Sequence, residues 1–271
     1  MMKKIVIKIG TSSLSNGDGS INKRIIEKIA LTTTKLMWQG YDILIVTSGA
    51  VGCGKSIINK YKNDELYLRN DDIAKSNRYS TIDKTVLSAI GQIKLMSYYI
   101  SEFEKHYFSV GQLLIAGPRD IESSYCIKSI ETFFKTGIVP IVNANDTVYD
   151  KEISEDENNR FSDNDMLAAE LSRAIGADML ILITNVDGYI YNNEVIDEIK
   201  YGEIDSYITM TDNKKSTGGT GGMKSKLNAC KVSGCDTFII HNSQITNIDK
   251  LINGEYIGTK VSKNISKVYK K

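Results

Sequence analysis

The chain has 271 residues, and its charges nearly cancel, with 34 Lys and Arg against 33 Asp and Glu, which leaves a net charge of +1. This balance lacks the basic excess by which proteins hold nucleic acid, so we expect no nucleic-acid partner. Hydrophobic residues make up 41% of the chain and charged residues 25%, an ordinary globular composition that predicts a full hydrophobic core. The length fits one large domain or two small ones.

No segment of the sequence predicts a membrane span or an export signal. The apolar runs, such as 43–46 and 179–183, are far shorter than the ~20 residues that a membrane helix needs. Residues 1–8 have a basic start but no apolar stretch of the length that a secretory signal requires. The four cysteines form no C-x-x-C pair, which is typical of reduced cytosolic thiols. We therefore expect a cytoplasmic protein without membrane contact.

Histidine is scarce, which limits the chemistry available. The two histidines, His106 and His241, lie far from each other, and neither forms a close-spaced pair with a cysteine. We expect neither a zinc site built on them nor a Ser-His-Asp triad. Catalysis must then depend on Lys, Asp, Asn, Ser and glycine loops.

Short apolar runs alternate with longer segments of helical period, which predicts an α/β protein with a largely parallel sheet. Most strand candidates are continuously apolar, so both of their faces should be buried. Four of the helix candidates are followed by a glycine suited to a C-cap. Two polar stretches, 59–80 and 147–161, are candidate lids or substrate loops, or else solvated insertions. The predicted strands are 4–9, 43–47, 110–116, 138–142, 179–183 and 237–240, and the predicted helices are 22–39, 82–104, 122–135, 163–175 and 223–232.

The first predicted strand contains a lysine and ends in a loop that suits an anion. Lys8 lies in an apolar strand, where its charge is costly without a partner, so we expect it to project toward an anion at the strand's C-terminal end. Gly10, Thr11 and Ser12 then offer close backbone approach and donors suited to phosphate. The alternative is an edge-strand lysine in water.

Residues 49–56, after the second strand, match the phosphate-cradling pattern G-x-x-x-x-G-K-[ST]. A P-loop ATPase that uses Lys55 is therefore an alternative function. However, such a loop normally follows the first strand, and no later strand ends in a plain Walker-B aspartate. We interpret Gly49, Gly52 and Gly54 as glycines that let backbone amides approach a small anionic substrate.

A third loop, 217–222, has four glycines in five residues and leads into a helix, which predicts an anion site at the helix N-terminus. On that helix, Leu227 and Cys230 define the apolar stripe, and Lys226 borders it, so we expect Lys226 to reach inward. A flexible linker is the alternative.

Two acidic loops complete the set. Asp146 follows the strand 138–142 in a loop that could equally be an Asx turn. The second loop, 162–165, contains Asp165, and Ser162 with Asp165 three residues later is also a capping-box pattern. Thr184 and Asn185 follow the strand 179–183 and could hold polar ligand groups.

In their order along the chain, these motifs resemble the amino-acid kinase superfamily and, within it, the glutamate 5-kinase family of proline synthesis. One such motif would be weak evidence for the family, but seven motifs in the same order along the chain are specific evidence. Thr11 and Ser12 distinguish this branch from the acetylglutamate, carbamate and uridylate kinases. The motifs are Ile7-Lys8-Ile9-Gly10-Thr11-Ser12, Val46-Thr47-Ser48-Gly49-Ala50-Val51, Gly91-Gln92, Val110-Gly111-Gln112, Val139-Pro140-Ile141-Val142-Asn143 with Asn145-Asp146, Asp163-Asn164-Asp165, and Gly219-Thr220-Gly221-Gly222-Met223 with Lys226.

The resemblance implies a three-layer α/β/α sandwich with a largely parallel central sheet, formed by one domain over residues 1–271. Its N-terminal half would mainly bind glutamate, and about 170–271 would mainly bind ATP. The implied reaction is ATP-dependent phosphorylation of the γ-carboxylate of L-glutamate to L-glutamate 5-phosphate, with Mg²⁺ and with feedback inhibition by proline. A carboxylate acceptor, whose pKa is ordinarily ~4.3, is already ionised at pH 7 and needs no general base. The scarcity of histidine agrees with this chemistry.

The resemblance also implies site residues, position by position. Lys8 and Lys226 would neutralise the charge on the transferred phosphoryl group, and Asp165 would hold the two lysines. The metal ligands stay unassigned. Residues that would bind glutamate are Ser48, Gly49, Ala50, Asp146 and Asn164. Residues that would line the ATP site are Lys8, Gly10, Thr11, Thr184, Asn185, Thr220, Gly221, Gly222, Met223, Lys224, Ser225 and Lys226.

The sequence departs from the family pattern in three ways. Asn185 stands where the family often has Asp, and Ala144 replaces a common Glu. Many bacterial members carry a C-terminal RNA-binding module, and we expect the kinase domain alone here. The resemblance further implies a homo-oligomer, a dimer or tetramer, and coupling to glutamyl phosphate reductase. Open alternatives are a different small acceptor on the same fold and a non-catalytic amino-acid sensor.

Overall fold

The computed structural model describes residues 2–62, 83–148, 163–212, 222–255 and 257–263. Its centre is an eight-stranded sheet in the order β3-β4-β2-β1-β5-β9-β10-β8. All neighbours from β3 to β9 are parallel, β10 is antiparallel to β9, and β6 and β7 form a separate hairpin. The strands are β1 (Lys3–Ile9), β2 (Tyr41–Val46), β3 (Val110–Ile115), β4 (Val139–Ala144), β5 (Met179–Thr184), β6 (Ile190–Tyr191), β7 (Glu194–Val195), β8 (Glu198–Ile199), β9 (Asp236–His241) and β10 (Thr259–Val261).

Helices cover both faces of the sheet. On one face, Ile5 and Ile7 of β1 pack with α2 and α4, and on the other, Val6 packs with α6, α7 and α9. Because successive side chains of a strand point to opposite faces, one apolar strand supplies both cores. This three-layer arrangement confirms the predicted α/β/α fold. The helices are α1 (Thr11–Leu14), α2 (Lys23–Trp38), α3 (Ala50–Lys62), α4 (Lys84–Glu104), α5 (Pro118–Glu122), α6 (Ser124–Thr136), α7 (Asn164–Ile175), α8 (Ile204–Asp212), α9 (Gly222–Ser233) and α10 (Ile248–Ile252), with 3-10 turns at Tyr201–Glu203 and Asn242–Asn247.

The six predicted strands are present, and the helix ends follow their local chemistry. Gly137 and Gly176 end α6 and α7 in the left-handed conformation, with φ of 67° and 64°. The predicted helix 122–135 is wrong at its start, because the Ser123 side chain accepts from the Tyr125 N–H and begins a new helix there. β3 lies at the sheet edge and is only partly buried, unlike the central strands.

The P-loop interpretation of residues 49–56 is wrong. Most of this segment is the first part of α3, and Lys55 lies exposed on that helix. Gly54 allows close contact with α4, because a Cβ there would lie 2.0 Å from the Leu87 carbonyl oxygen. The short pattern cannot distinguish a phosphate loop from a glycine-bearing helix.

Two predictions fall largely beyond the described ranges. The polar stretches 59–80 and 147–161 are described only at residues 59–62, the end of α3, and at 147–148, just after β4. Within the described residues, no helix combines the length and apolar character needed to cross a membrane.

Candidate active site

The candidate site lies where the parallel strands β1, β2, β4 and β5 end. β1 is the centre of this group, with β2 and then β4 on one side and β5 on the other. The chain places β2, β3 and β4 on one side of β1 and then adds β5 on the other side. The strand order therefore reverses at β1, and the carboxyl ends of β1 and β5 flank a topological switch point. Open α/β sheets bind ligands at the carboxyl ends of their strands at such points.

Lys8 reaches into the sandwich from the end of β1. Its side chain shares a face with Val6, the face that α7 and α9 cover, because side chains alternate along the strand. Its Nζ lies 2.6 Å from Asp165 Oδ1, and the residue is only 6% exposed. The edge-strand alternative is therefore wrong, and the predicted inward projection of Lys8 is confirmed.

Asp165 links two lysines that come from different parts of the chain. It lies in the first turn of α7, and Lys226 Nζ of α9 lies 3.1 Å from its second oxygen. The Lys226 side chain is only 12% exposed and contacts the buried Asp165, so its predicted inward orientation is confirmed. Burial alone would raise the pKa of Asp165. The ammonium groups of Lys8 and Lys226 lower it by more than burial raises it, so the pKa lies below its usual range. Two cations around one buried carboxylate leave a positive charge that an anionic ligand would balance.

Asp163 joins the two helices that carry Asp165 and Lys226. Its Oδ1 caps α7 by accepting from the N–H groups of Asp165 and Met166 at 2.8 and 3.0 Å. Its Oδ2 accepts from the hydroxyl of Ser225 in the first turn of α9. The capping-box alternative for Asp165 is therefore wrong, because Asp163 caps the helix and the carboxylate of Asp165 binds lysines. Both helix N-termini, with their partial positive charges, meet at this point.

A chain of side-chain amides lies on the other side of the site. Asn164 Nδ2 is 2.9 Å from both Thr47 O and Ser48 Oγ, and 3.0 Å from Asn143 Oδ1. Asn143 Nδ2 in turn donates to Gln92 Oε1 at 2.8 Å. The predicted residues Ser48 and Asn164 are thus in contact, as a shared acceptor site requires.

The sequence assigned no role to Gln92 or Asn143, although both occur in the quoted motifs. Gln92 lies on the face of α4 that also buries Leu95, Met96 and Tyr99. A polar residue at a core position of an amphipathic helix is a usable signal, since a buried amide needs hydrogen-bond partners.

The remaining predicted residues occupy the same edge or lie outside the described ranges. Gly10 lies beside Lys8, since a Cβ there would be at an ordinary contact distance of 3.5 Å from Lys8 Nζ. The other placements are as follows: Thr11 starts α1 and is exposed, Gly49 has φ +92° and Ala50 starts α3, Asp146 is partly exposed after β4, Thr184 is buried and Asn185 exposed at the end of β5, Gly222, Met223 and Lys224 form the first turn of α9, and Thr220 and Gly221 lie outside the described residues.

The chain is similar to known proteins over most of its length. The sequence profile of the amino acid kinase family matches residues 3–234. A glutamate 5-kinase of Lactococcus lactis subsp. lactis is 34% identical over 95% of this chain and 94% of that protein. A glutamate 5-kinase of Listeria welshimeri is 32% identical over 95% of this chain and 92% of that protein.

Among solved structures, a carbamate kinase from Giardia lamblia bound to AMP-PNP aligns with a TM-score of 0.66 at 16% identity. The alignment covers 97% of this chain and 99% of that one, and it supports the fold. The resemblance drawn from the sequence motifs is confirmed: the chain belongs to the amino acid kinase family.

Proposed function

We propose that the chain transfers a phosphoryl group from ATP to the γ-carboxylate of L-glutamate, which gives L-glutamate 5-phosphate, the first step of proline synthesis. The buried cluster of Lys8, Asp165 and Lys226 carries the proposal, because it supplies net positive charge at the switch point of the sheet. Relatives named glutamate 5-kinase, which match nearly the whole chain, support the choice of acceptor.

The residues of the cluster have distinct roles in this proposal. The acceptor carboxylate arrives ionised, so no side chain needs to remove a proton from it. Lys8 and Lys226 neutralise the charge that spreads over the phosphoryl oxygens, and Asp165 keeps the two ammonium groups in position. Within the described ranges, no group of three His, Cys, Asp or Glu could hold a metal ion. When bound with the nucleotide, Mg²⁺ would supply further charge neutralisation, held mainly by phosphate oxygens.

The two substrates divide between the halves of the chain. Ser48 and Asn164, which are hydrogen-bonded to each other, would bind the glutamate together with Gly49, Ala50 and Asp146. The end of β5 at Thr184 and the first turn of α9 would bind ATP. Their position beside the two lysines supports this division, since the phosphoryl group must pass between the halves.

The test is an assay of ADP formation that depends on L-glutamate, with the purified chain and Mg-ATP. Lys8→Ala should abolish the turnover, whereas Lys55→Ala should leave it within about twofold of the parent, since exposed residues away from the site rarely matter. A folded chain that forms no ADP above background with glutamate would contradict the proposal. A panel of small carboxylate acceptors separates it from the same fold with another acceptor.

We also propose inhibition by proline at or overlapping the glutamate site, because the resemblance implies it and both ligands are α-amino acids. Proline added to the same assay should raise the apparent KM for glutamate more than it lowers kcat. The same resemblance supports a homo-oligomer and delivery of the product to a reductase.

A further inference from the structure

The loop after β5, residues 185–188, is anchored at its far end by the backbone of Tyr189. The N–H of Tyr189 donates to Thr259 Oγ1 at 2.7 Å, and its carbonyl accepts from the N–H of Ile196 at 2.9 Å. A Cβ at Gly188 would lie 2.6 Å from the same Thr259 oxygen, so a larger residue would displace this contact. The short loop therefore runs from the end of β5 directly into a fixed contact with β10.

The side chain of Tyr189 connects this anchor to α8. It is 4% exposed, and its ring meets the ring of Tyr207 edge to face, with the centroids 5.1 Å apart. Its hydroxyl donates to the carbonyl of Tyr207 at 3.0 Å. The hydroxyl of Thr211 donates to the same carbonyl at 2.8 Å, and its oxygen lies 3.4 Å from that of Tyr189. Tyr189 thus joins the second half of α8 to the loop after β5.

α8 in turn packs on α9, the helix whose first turn we assign to ATP. Ile204 of α8 is fully buried in the same apolar cluster as Leu227 of α9. Asp205 Oδ1 of α8 lies 2.6 Å from Lys231 Nζ of α9. The phenol hydroxyl of Tyr189 therefore completes a connection that runs from the loop after β5, through α8, to α9. The two ends of this connection are distant in sequence, but both border the proposed ATP site.

We propose that Tyr189 is a positioning residue for the nucleotide: through α8, its hydroxyl fixes the end of β5 relative to α9, so that ATP contacts both at once. This inference rests on the proposed function, which assigns these two segments to ATP. The N-terminus of α9 and the two buried lysines suit the phosphates, which leaves the nucleoside to the end of β5. Without the hydroxyl, ATP must order the two segments as it binds, and that cost lowers its affinity.

The experiment compares Tyr189→Phe with a matched control from the same ring pair, Tyr207→Phe. Tyr189→Phe keeps the ring contact and removes only the hydroxyl that donates to α8. Tyr207→Phe removes the same group from the other ring and keeps the carbonyl that accepts from Tyr189. Within the described residues, the hydroxyl of Tyr207 makes no hydrogen bond, so its loss should not affect the connection.

Calorimetry with two ligands separates positioning from general stability. Mg-ADP contacts both segments in the proposed arrangement, whereas Mg-tripolyphosphate has no nucleoside and contacts only the phosphate end. We expect Tyr189→Phe to raise the Kd of Mg-ADP about 3- to 10-fold and to leave the Kd of Mg-tripolyphosphate within about twofold of the parent. Tyr207→Phe should match the parent for both ligands.

The kinetic constants give a second readout. In the ADP assay, Tyr189→Phe should raise the KM for ATP by the same factor as the Kd of Mg-ADP. The KM for glutamate should stay at the parent value, because the acceptor side does not contact this connection. The kcat should also stay, because saturating ATP restores the arrangement. If tripolyphosphate binds too weakly to measure, this split between the two KM values decides.

The remaining outcomes are equally decisive. If Tyr189→Phe binds Mg-ADP as tightly as the parent does, the inference is wrong. It is also wrong if both ligands weaken equally as the unfolding midpoint falls, because the hydroxyl would then support the fold in general. A parent that binds Mg-ADP but forms no ADP with glutamate contradicts the proposed acceptor, and the calorimetric comparison still tests Tyr189. A folded parent that binds no Mg-nucleotide overturns both proposals.

Discussion

At the scale of single residues, Asp165 holds together the charged groups of the site. It is the anionic partner of two lysines, Lys8 and Lys226, whose side chains are 7% and 12% exposed. Asp165→Asn keeps the shape but leaves two buried ammonium groups without their carboxylate. We expect the free energy of unfolding at pH 7 to fall by about 3–5 kcal/mol, as for other broken buried pairs. We expect kcat to fall roughly 10²- to 10³-fold, because the lysines lose their positions. Urea unfolding and the ADP assay measure the two effects.

The stability difference between the parent and Asp165→Asn should depend on pH in one direction. Burial raises the pKa of Asp165, but Lys8 and Lys226 together lower it by more. The pKa of Asp165 in the folded chain therefore lies below its pKa in the unfolded chain. The stabilisation is therefore complete above the unfolded pKa of ~3.9 and is lost as the pH falls through the lower, folded pKa. Urea titrations from pH 7 down to pH 3 should show the two proteins converging only at the acid end. A constant difference over that range would contradict the ion-pair account.

At the scale of elements, the joint between α7 and α9 brings the two halves of the site together. Ser225→Ala removes only the link to Asp163, whereas the cap of α7 remains. We expect a loss of about 0.5–1.5 kcal/mol in unfolding free energy and a several-fold rise in the KM for ATP, because the first turn of α9 is no longer held. Ser123→Ala is the matched control, since it removes the cap of α6 and costs about 1 kcal/mol there. If both variants change the KM for ATP equally, the joint has no specific role.

The contact between α3 and α4 is a second element-scale feature, and it lies beside the proposed glutamate site. A Cβ at Gly91 would lie 1.8 Å from the Ala50 carbonyl oxygen, so the two helices must separate to accept it. Gly91→Ala should cost about 1–3 kcal/mol of unfolding free energy and raise the KM for glutamate more than the KM for ATP. Gly17→Ala, where no atom lies within 4 Å, should change neither quantity. Thermal unfolding and the two KM values distinguish the variants.

Local chemistry explains which elements the sequence could predict. The central strands are continuously apolar because both faces are buried, and Gly137 and Gly176 mark helix ends through their left-handed conformation. Strands of two or three residues, such as β8 and β10, carry no periodic signal. Residues 49–56 match the pattern of a phosphate loop although most of them form a helix. A phosphate loop and a helix that packs closely on another helix both need glycines, so the pattern does not distinguish them. The contact from Gln92 to Asn143 spans 51 positions, so only the fold can bring these residues together.

At the scale of the whole molecule, the cluster of Lys8, Asp165 and Lys226 depends on the packing of the complete α/β/α sandwich. Lys8 comes from β1, Asp165 from α7 and Lys226 from α9, so no single segment contains the charge pattern. The cluster therefore exists only when β1, α7 and α9 are packed together. A ligand that binds across this joint should stabilise the entire domain rather than one loop.

The buried cysteines allow that coupling to be measured. Burial raises the pKa of the Cys235 thiol to about 12, and burial followed by the nearby charge of Asp165 raises the pKa of Cys230 as well. At pH 8 a thiol reagent should therefore label Cys126, which is half-buried, and reach Cys230 and Cys235 only when the domain opens. In a Cys126→Ser background, Mg-nucleotide at 100 times its Kd should slow labelling of Cys230 and Cys235 about 100-fold. Mass spectrometry of the labelled sites follows the reaction. Rapid labelling of Cys230 at a rate that does not change when nucleotide is added would show that α9 opens independently of the site.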